Sequence, residues 1–86
     1  MNHHHFITLK DGTEITYSDL KINNDGNKYI SLYFETPTDS GFKSAYIDYP
    51  SGKLYNIVGY SDLEQNKILY HYKKVAKIAF DLVKES

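Results

Sequence analysis

The chain has 86 residues, nine of them Tyr, with no Trp, no Cys and a formal net charge of −1. This length allows one domain, and without Cys there is no disulfide staple, thiolate nucleophile or thiolate metal ligand. Every cation outside the His residues is Lys; the planar guanidinium fork that reads guanine and grips phosphate is missing, which argues against duplex DNA recognition.

Small secreted domains lean on disulfides, so a Cys-free chain of this size is expected to be cytoplasmic. No apolar run approaches the roughly 18 residues of a membrane span. The N-terminus lacks the basic and then apolar order of a signal peptide. No membrane partner is expected. The abundance of Lys, Asn, Ile and Tyr is typical of AT-rich bacterial or phage genomes.

Met1-Asn2-His3-His4-His5 reads as a tag remnant or a frayed terminus, which leaves 6–86 as the single domain. Three adjacent His do not converge on one ion without a fourth ligand, and a closed zinc site takes four. No metal and no cofactor are assigned.

Lys10-Asp11-Gly12 marks the first turn. A two-residue Asp-Gly turn would place Leu9 against Glu14 and Thr8 against Ile15. A three-residue loop with Gly12 left-handed pairs Leu9 with Thr13 and Ile7 with Ile15. The second register gathers Ile7, Leu9, Ile15 and Tyr17 on one face and Phe6, Thr8, Glu14 and Thr16 on the other. Slipping by one residue would exchange the faces, so the bulged hairpin is the expected form.

Asn23-Asn24-Asp25-Gly26-Asn27 is a second turn, since each residue tolerates or demands turn geometry. The strand after it alternates Ile30, Leu32 and Phe34 with Tyr29, Ser31, Tyr33 and Glu35. The apolar set is expected to face a helix, with Tyr29 and Tyr33 on the opposite side. Thr36 to Gly41 reads as a polar, exposed loop. The strand Phe42–Tyr49 follows. Pro50-Ser51-Gly52, suited to a type I turn closed by a bulge, leads into the strand Lys53–Tyr60. Both faces of these last two strands carry apolar or aromatic groups, so some tyrosines are expected to remain uncovered.

Ser61-Asp62-Leu63-Glu64 is a capping-box pattern, and its acids suit the positive end of the helix dipole. Gln65 stands where a hydrophobic staple to Tyr60 would need an apolar group. Ile68, Leu69, Tyr72, Val75, Ala76, Ala79, Phe80, Leu82 and Val83 form one stripe at helical spacing, about 160° wide. Leu63, Tyr70 and Ile78 fall off it. The predicted fold is α+β: an antiparallel meander sheet of five to six strands with one long C-terminal helix packed on one face.

Few residues suggest catalysis. There is no nucleophile elbow and no glycine-rich phosphate loop. His71 sits on the helix flank near Lys67 and Lys74, as a solvated residue. The acids cluster in turns, where their local work is turn geometry. Asn23 to Asn27 lacks the acid spacing and closing Glu of a calcium loop. The expectation is a protein that is not an enzyme.

Two surfaces remain. Lys67, Lys73, Lys74 and Lys77 form a basic helix band suited to an anionic partner. Tyr29, Tyr33, Tyr46 and Tyr60 are expected to make an aromatic sheet face. Residues 1–60 hold five Lys against seven Asp and Glu, a balance that repels phosphate and favours a protein interface. The leading expectation is a small interaction module that docks on a protein or on itself through this face and the acidic hairpin residues Asp11, Glu14 and Asp25. One version is a phage or mobile-element inhibitor of a host protein. The alternative is a single-stranded nucleic-acid binder that combines the Tyr platform with the Lys band.

Overall fold

The first hairpin closes in the bulged register. The computed structural model describes residues 3–85. Strands β1 (His3–Thr8) and β2 (Glu14–Ser18) pair antiparallel, with Ile7 opposite Ile15 and Thr8 opposite Glu14. The Leu9 amide donates to the Thr13 carbonyl at 2.8 Å and the Gly12 amide to the Leu9 carbonyl at 3.0 Å. Gly12 has φ +90°, a left-handed value that glycine adopts without steric penalty.

Strand β1 starts three residues earlier than expected. His3, His4 and His5 are not a frayed terminus: they pair with Ser18, Tyr17 and Thr16. The outer backbone groups of β2 need partners, and this segment supplies them whatever its side chains. Met1 and Asn2 lie outside the described residues. A register shift between His5 and Ile7 also moves Phe6 off the polar face, so that its ring meets the edge of Tyr17.

The second hairpin repeats the first. Strand β3 (Lys21–Ile22) turns through Asn24-Asp25-Gly26 into β4 (Lys28–Thr38), with the Asn23 amide on the Asn27 carbonyl and the Gly26 amide on the Asn23 carbonyl. Strands β2 and β3 pair in turn along one side of β4. Strand β5 (Gly41–Tyr49) pairs along its other side, and β6 (Leu54–Val58) pairs with β5. The order is β1-β2-β4-β5-β6, with β3 also on β4.

Thr36 to Gly41 is not a long loop. Strand β4 runs to Thr38 and β5 starts at Gly41, which leaves Asp39-Ser40 as the turn. Pro37 sits within the ladder opposite Phe42. A central-strand proline normally removes a ladder hydrogen bond. Here the pairing with β2 has already ended at Glu14 and Glu35, so the side its nitrogen faces holds no strand. Pro50 to Gly52 returns β5 into β6, and the Tyr49–Pro50 peptide is cis.

Helix α1 (Asp62–Lys84) starts at the expected capping box. Ser61 Oγ accepts from the Glu64 amide, and Glu64 Oε1 accepts from the Ser61 amide. Gln65, where a staple residue is missing, donates instead to the Tyr60 carbonyl at 3.1 Å. Ile68, Tyr72, Ala76 and Ala79 are buried against Ile15, Ile30, Leu32, Phe34, Ala45 and Ile47 of the sheet. The small Ala76 and Ala79 let the helix lie close to the strands. Leu82, expected in the stripe, is 45% exposed at the stripe's edge, while Phe80 and Val83 beside it pack on the core. Leu63, Tyr70 and Ile78 face solvent, as their positions off the stripe predict.

Glu64 also joins the helix start to the sheet. Its other oxygen accepts from Lys43 Nζ at 2.6 Å. The Lys43 ammonium, with the Ser61 amide second, holds its carboxyl down at about 2. This support is fully present above the ordinary carboxylate range and is lost as pH falls toward 2. Denaturant titrations from pH 7 to pH 2 should therefore give a shallower acid loss for Glu64→Gln than for wild type. Parallel profiles would show that the pair is idle.

Candidate functional site

The helix covers one face of the sheet, and the other face carries a row of rings. Register sets the row. Thr16 lies opposite Tyr33, Tyr33 opposite Tyr46, and Tyr46 opposite Tyr55, so these residues cross four strands side by side. Tyr33 and Tyr46 have centroids 4.7 Å apart, and Tyr46 stacks on Tyr55 at 5.4 Å with an interplanar angle of 16°. His3 reaches over from β1 and stacks on Tyr33 at 5.5 Å. Partial desolvation in this stack, with the nearby positive charges second, pushes the His3 pKa below its ordinary value.

A polar cluster props one end of the row. Ser31 Oγ donates to Asp48 Oδ1 at 2.7 Å, and Tyr55 OH donates to the same oxygen at 2.8 Å. Lys21 Nζ donates to Ser31 Oγ at 2.8 Å and lies 5.4 Å above the Tyr29 ring. Ser31 is fully enclosed, so these bonds fix Tyr55 and Lys21 in place. An open cleft of about 610 Å³ adjoins this end, between Tyr29, Asn27, Asp48 and Pro50.

On the other side of the row, Glu14 and Glu35 stand directly opposite each other in the ladder. Like charges at such a pair are destabilising. Tyr33 OH donates to Glu35 Oε2 at 3.0 Å. Burial first, and that carboxylate after it, raise the Tyr33 pKa, so the hydroxyl stays protonated. Among the described residues no ion pair reaches either glutamate. Further along the same face Phe42 is 63% and Val58 56% exposed.

The expected site residues divide. Tyr29, Tyr33 and Tyr46 do share the open face. Tyr60 does not: it is buried on the helix side, where its hydroxyl meets Thr36 Oγ1 at 2.7 Å. Gly59, at φ +83° and tight against Lys43, turns the chain across the sheet end and carries Tyr60 into the core. Two ring positions were missed. Tyr55 was obscured because Asn56, at φ +52° within a bulge, breaks the alternation of β6. His3 had no local signal, since it joins the row only through pairing with Ser18.

The acids are not brought together. Asp11 is on the helix side, its carboxylate accepting from the Thr13 amide, which together with the Thr13 hydroxyl lowers its pKa. It lines a cavity of about 110 Å³ with Thr36, Tyr60, Lys67 and His71. Thr13, Thr36 and Tyr60 satisfy one another's hydroxyls there. His71, part-exposed on the helix flank, borders this cavity. Asp25 is at the tip of the second hairpin. Glu14 alone of the three expected acids flanks the aromatic row.

The Lys band belongs to α1, on the helix side of the sheet and away from the row. Lys77 pairs with Asp81 at 2.8 Å, Lys74 lies over the Tyr70 ring, and Lys67 borders the small cavity. Lys73 is exposed. Among the described residues no His, Asp and Glu group is arranged to hold a metal ion. No helix among them is long and apolar enough to cross a membrane. Comparison with protein-family models, with curated proteins and with solved structures gives no match.

Proposed function

We propose that this chain is a small non-enzymatic interaction protein that docks on a protein through the His3–Tyr33–Tyr46–Tyr55 row. One observation carries the reading: four rings in mutual contact lie on the sheet face that the helix leaves uncovered. Tyr supplies large contact area with few side-chain torsions to freeze. Aromatic anchors with charge at the rim are the usual anatomy of a docking surface. Here the rim is Glu14, Glu35 and Lys21.

Unpaired bases could also stack on such a row. Two carboxylates beside it repel a phosphate chain, and the Lys band is on the helix side of the sheet, so a protein partner fits better.

A photo-reactive benzoylphenylalanine in place of Tyr46 tests the reading in cells that make the protein. Irradiation should give a discrete protein adduct from position 46 and none from position 70 on the outer helix. Adducts from position 70 alone, no adduct, or an adduct to nucleic acid would refute it.

A further inference from the structure

We infer that the occupant of the aromatic row is a second copy of this chain, related by a two-fold axis that runs along the row. The inference rests on the docking role above and names its partner. It is drawn from the pattern of acids and serines on the open face.

Strand register places the row midway between two lines of side chains. On β2, Glu14 lies two residues to one side of Thr16 and Ser18 two residues to the other. On β4, Glu35 and Ser31 flank Tyr33 in the same way. On β5 the order is reversed, with Ser44 and Asp48 flanking Tyr46. The ladders align these residues across the sheet: Glu14 with Glu35, Glu35 with Ser44, and Ser31 with Asp48. A half-turn about the row lays each strand over its own copy and exchanges the two lines. Glu14 then falls over Ser18, Glu35 over Ser31, and Asp48 over Ser44. Each of these three acids falls over a serine position and none directly over another acid; Ser18 and Ser31 are themselves enclosed and Ser31 is bonded to Asp48, so Lys21 is the group that faces Glu35 there.

Charge adds to shape. The Lys21 ammonium is anchored on Ser31, so Glu35 of one copy arrives beside Lys21 of the other. The Glu14–Glu35 pair has no cation within the chain's described ion pairs, and this arrangement supplies one. An isologous contact makes every such pair twice. The rings meet rings along the axis, as two sheets packed face to face about 10 Å apart require.

Light scattering of the purified protein, read across a dilution series, should give a molar mass twice the 10.0 kDa of one chain. Glu35→Lys should weaken the association about tenfold or more, the order expected when a close charge pair turns repulsive. Lys21→Glu should do the same, and both changes in one chain should restore it. If Lys21→Glu fails to fold, Glu35→Lys decides alone. A wild-type protein that is monomeric at millimolar concentration, or a dimer indifferent to Glu35→Lys, overturns the inference. The docking role fails separately, when position 46 captures nothing in cells. A position-46 adduct to a different protein would leave that role standing and reject the second copy.

Discussion

Phe34→Ala should lower the unfolding free energy by about 3–5 kcal/mol. Phe34 is the largest fully enclosed side chain of the core, midway along the central strand between Ile15 and Ala45. Helix α1 covers this face of the sheet and Phe34 is fully enclosed beneath it, so truncation leaves a cavity in the core. A domain of this size has a total stability of roughly 4–13 kcal/mol, and each kcal/mol moves its melting temperature by about 4–8 °C. Thermal unfolding followed by circular dichroism should therefore show a fall of about 12–40 °C. Leu63→Ala, at a position 68% exposed on the outer helix, should stay within about 0.5 kcal/mol. A Phe34 variant as mild as Leu63→Ala would mean that the sheet face under the helix is not the core.

Elements with a local chemical signature were legible in the sequence. Ser61 and Glu64 announce a helix start because each side chain can reach the other's amide. Lys10-Asp11-Gly12 announces a bulged hairpin because one register separates apolar from polar groups and the other does not. Ile30, Leu32 and Phe34 announce the buried face of β4 by strict alternation. Together these give the α+β architecture, while the strand order and the sheet face that the helix covers come from the tertiary packing.

The candidate site was legible only in part, because long-range pairing makes it. Tyr33 and Tyr46 follow from alternation within β4 and β5, but their alignment depends on a register that is set only after Asp39-Ser40 closes the hairpin. His3 enters through β1, whose histidines carry no strand pattern. Tyr60 leaves the open face and Tyr55 joins the row because two left-handed residues, Asn56 and Gly59, break the period of two. Thr36 to Thr38 look like a loop by composition, yet β5 continues as their partner and extends β4 by three residues. For His3 and for Thr36 to Thr38 a tertiary contact outweighed a local preference.

The row is braced from both sides of the sheet. Asp48 fixes Tyr55 from the open face through its carboxylate, while its carbonyl accepts from Tyr72 OH of the helix at 2.9 Å. One residue thus ties the ring at the end of the row to the core on the other side of the sheet. Rings held in this way lose little further freedom on docking, which favours affinity.

Tyr46→Glu should weaken docking at the open face by about 30-fold or more, equivalent to a hot-spot loss of at least ~2 kcal/mol. Tyr46 is the one ring in contact with all three others. A carboxylate there removes the central ring and adds a third acid beside Glu14 and Glu35. It also desolvates a charge in the middle of the interface, where no cation waits for it. The isolated fold should survive, since the rings are only half-buried and a cross-strand pair is worth roughly 0.2–1 kcal/mol. Circular dichroism should therefore be unchanged while light scattering shows the variant monomeric at concentrations where wild type is dimeric. Tyr70→Glu, which places the same charge on the outer helix, should leave the association intact. If Tyr70→Glu dissociates the protein and Tyr46→Glu does not, the contact surface is the helix, and the aromatic row is cross-strand packing alone.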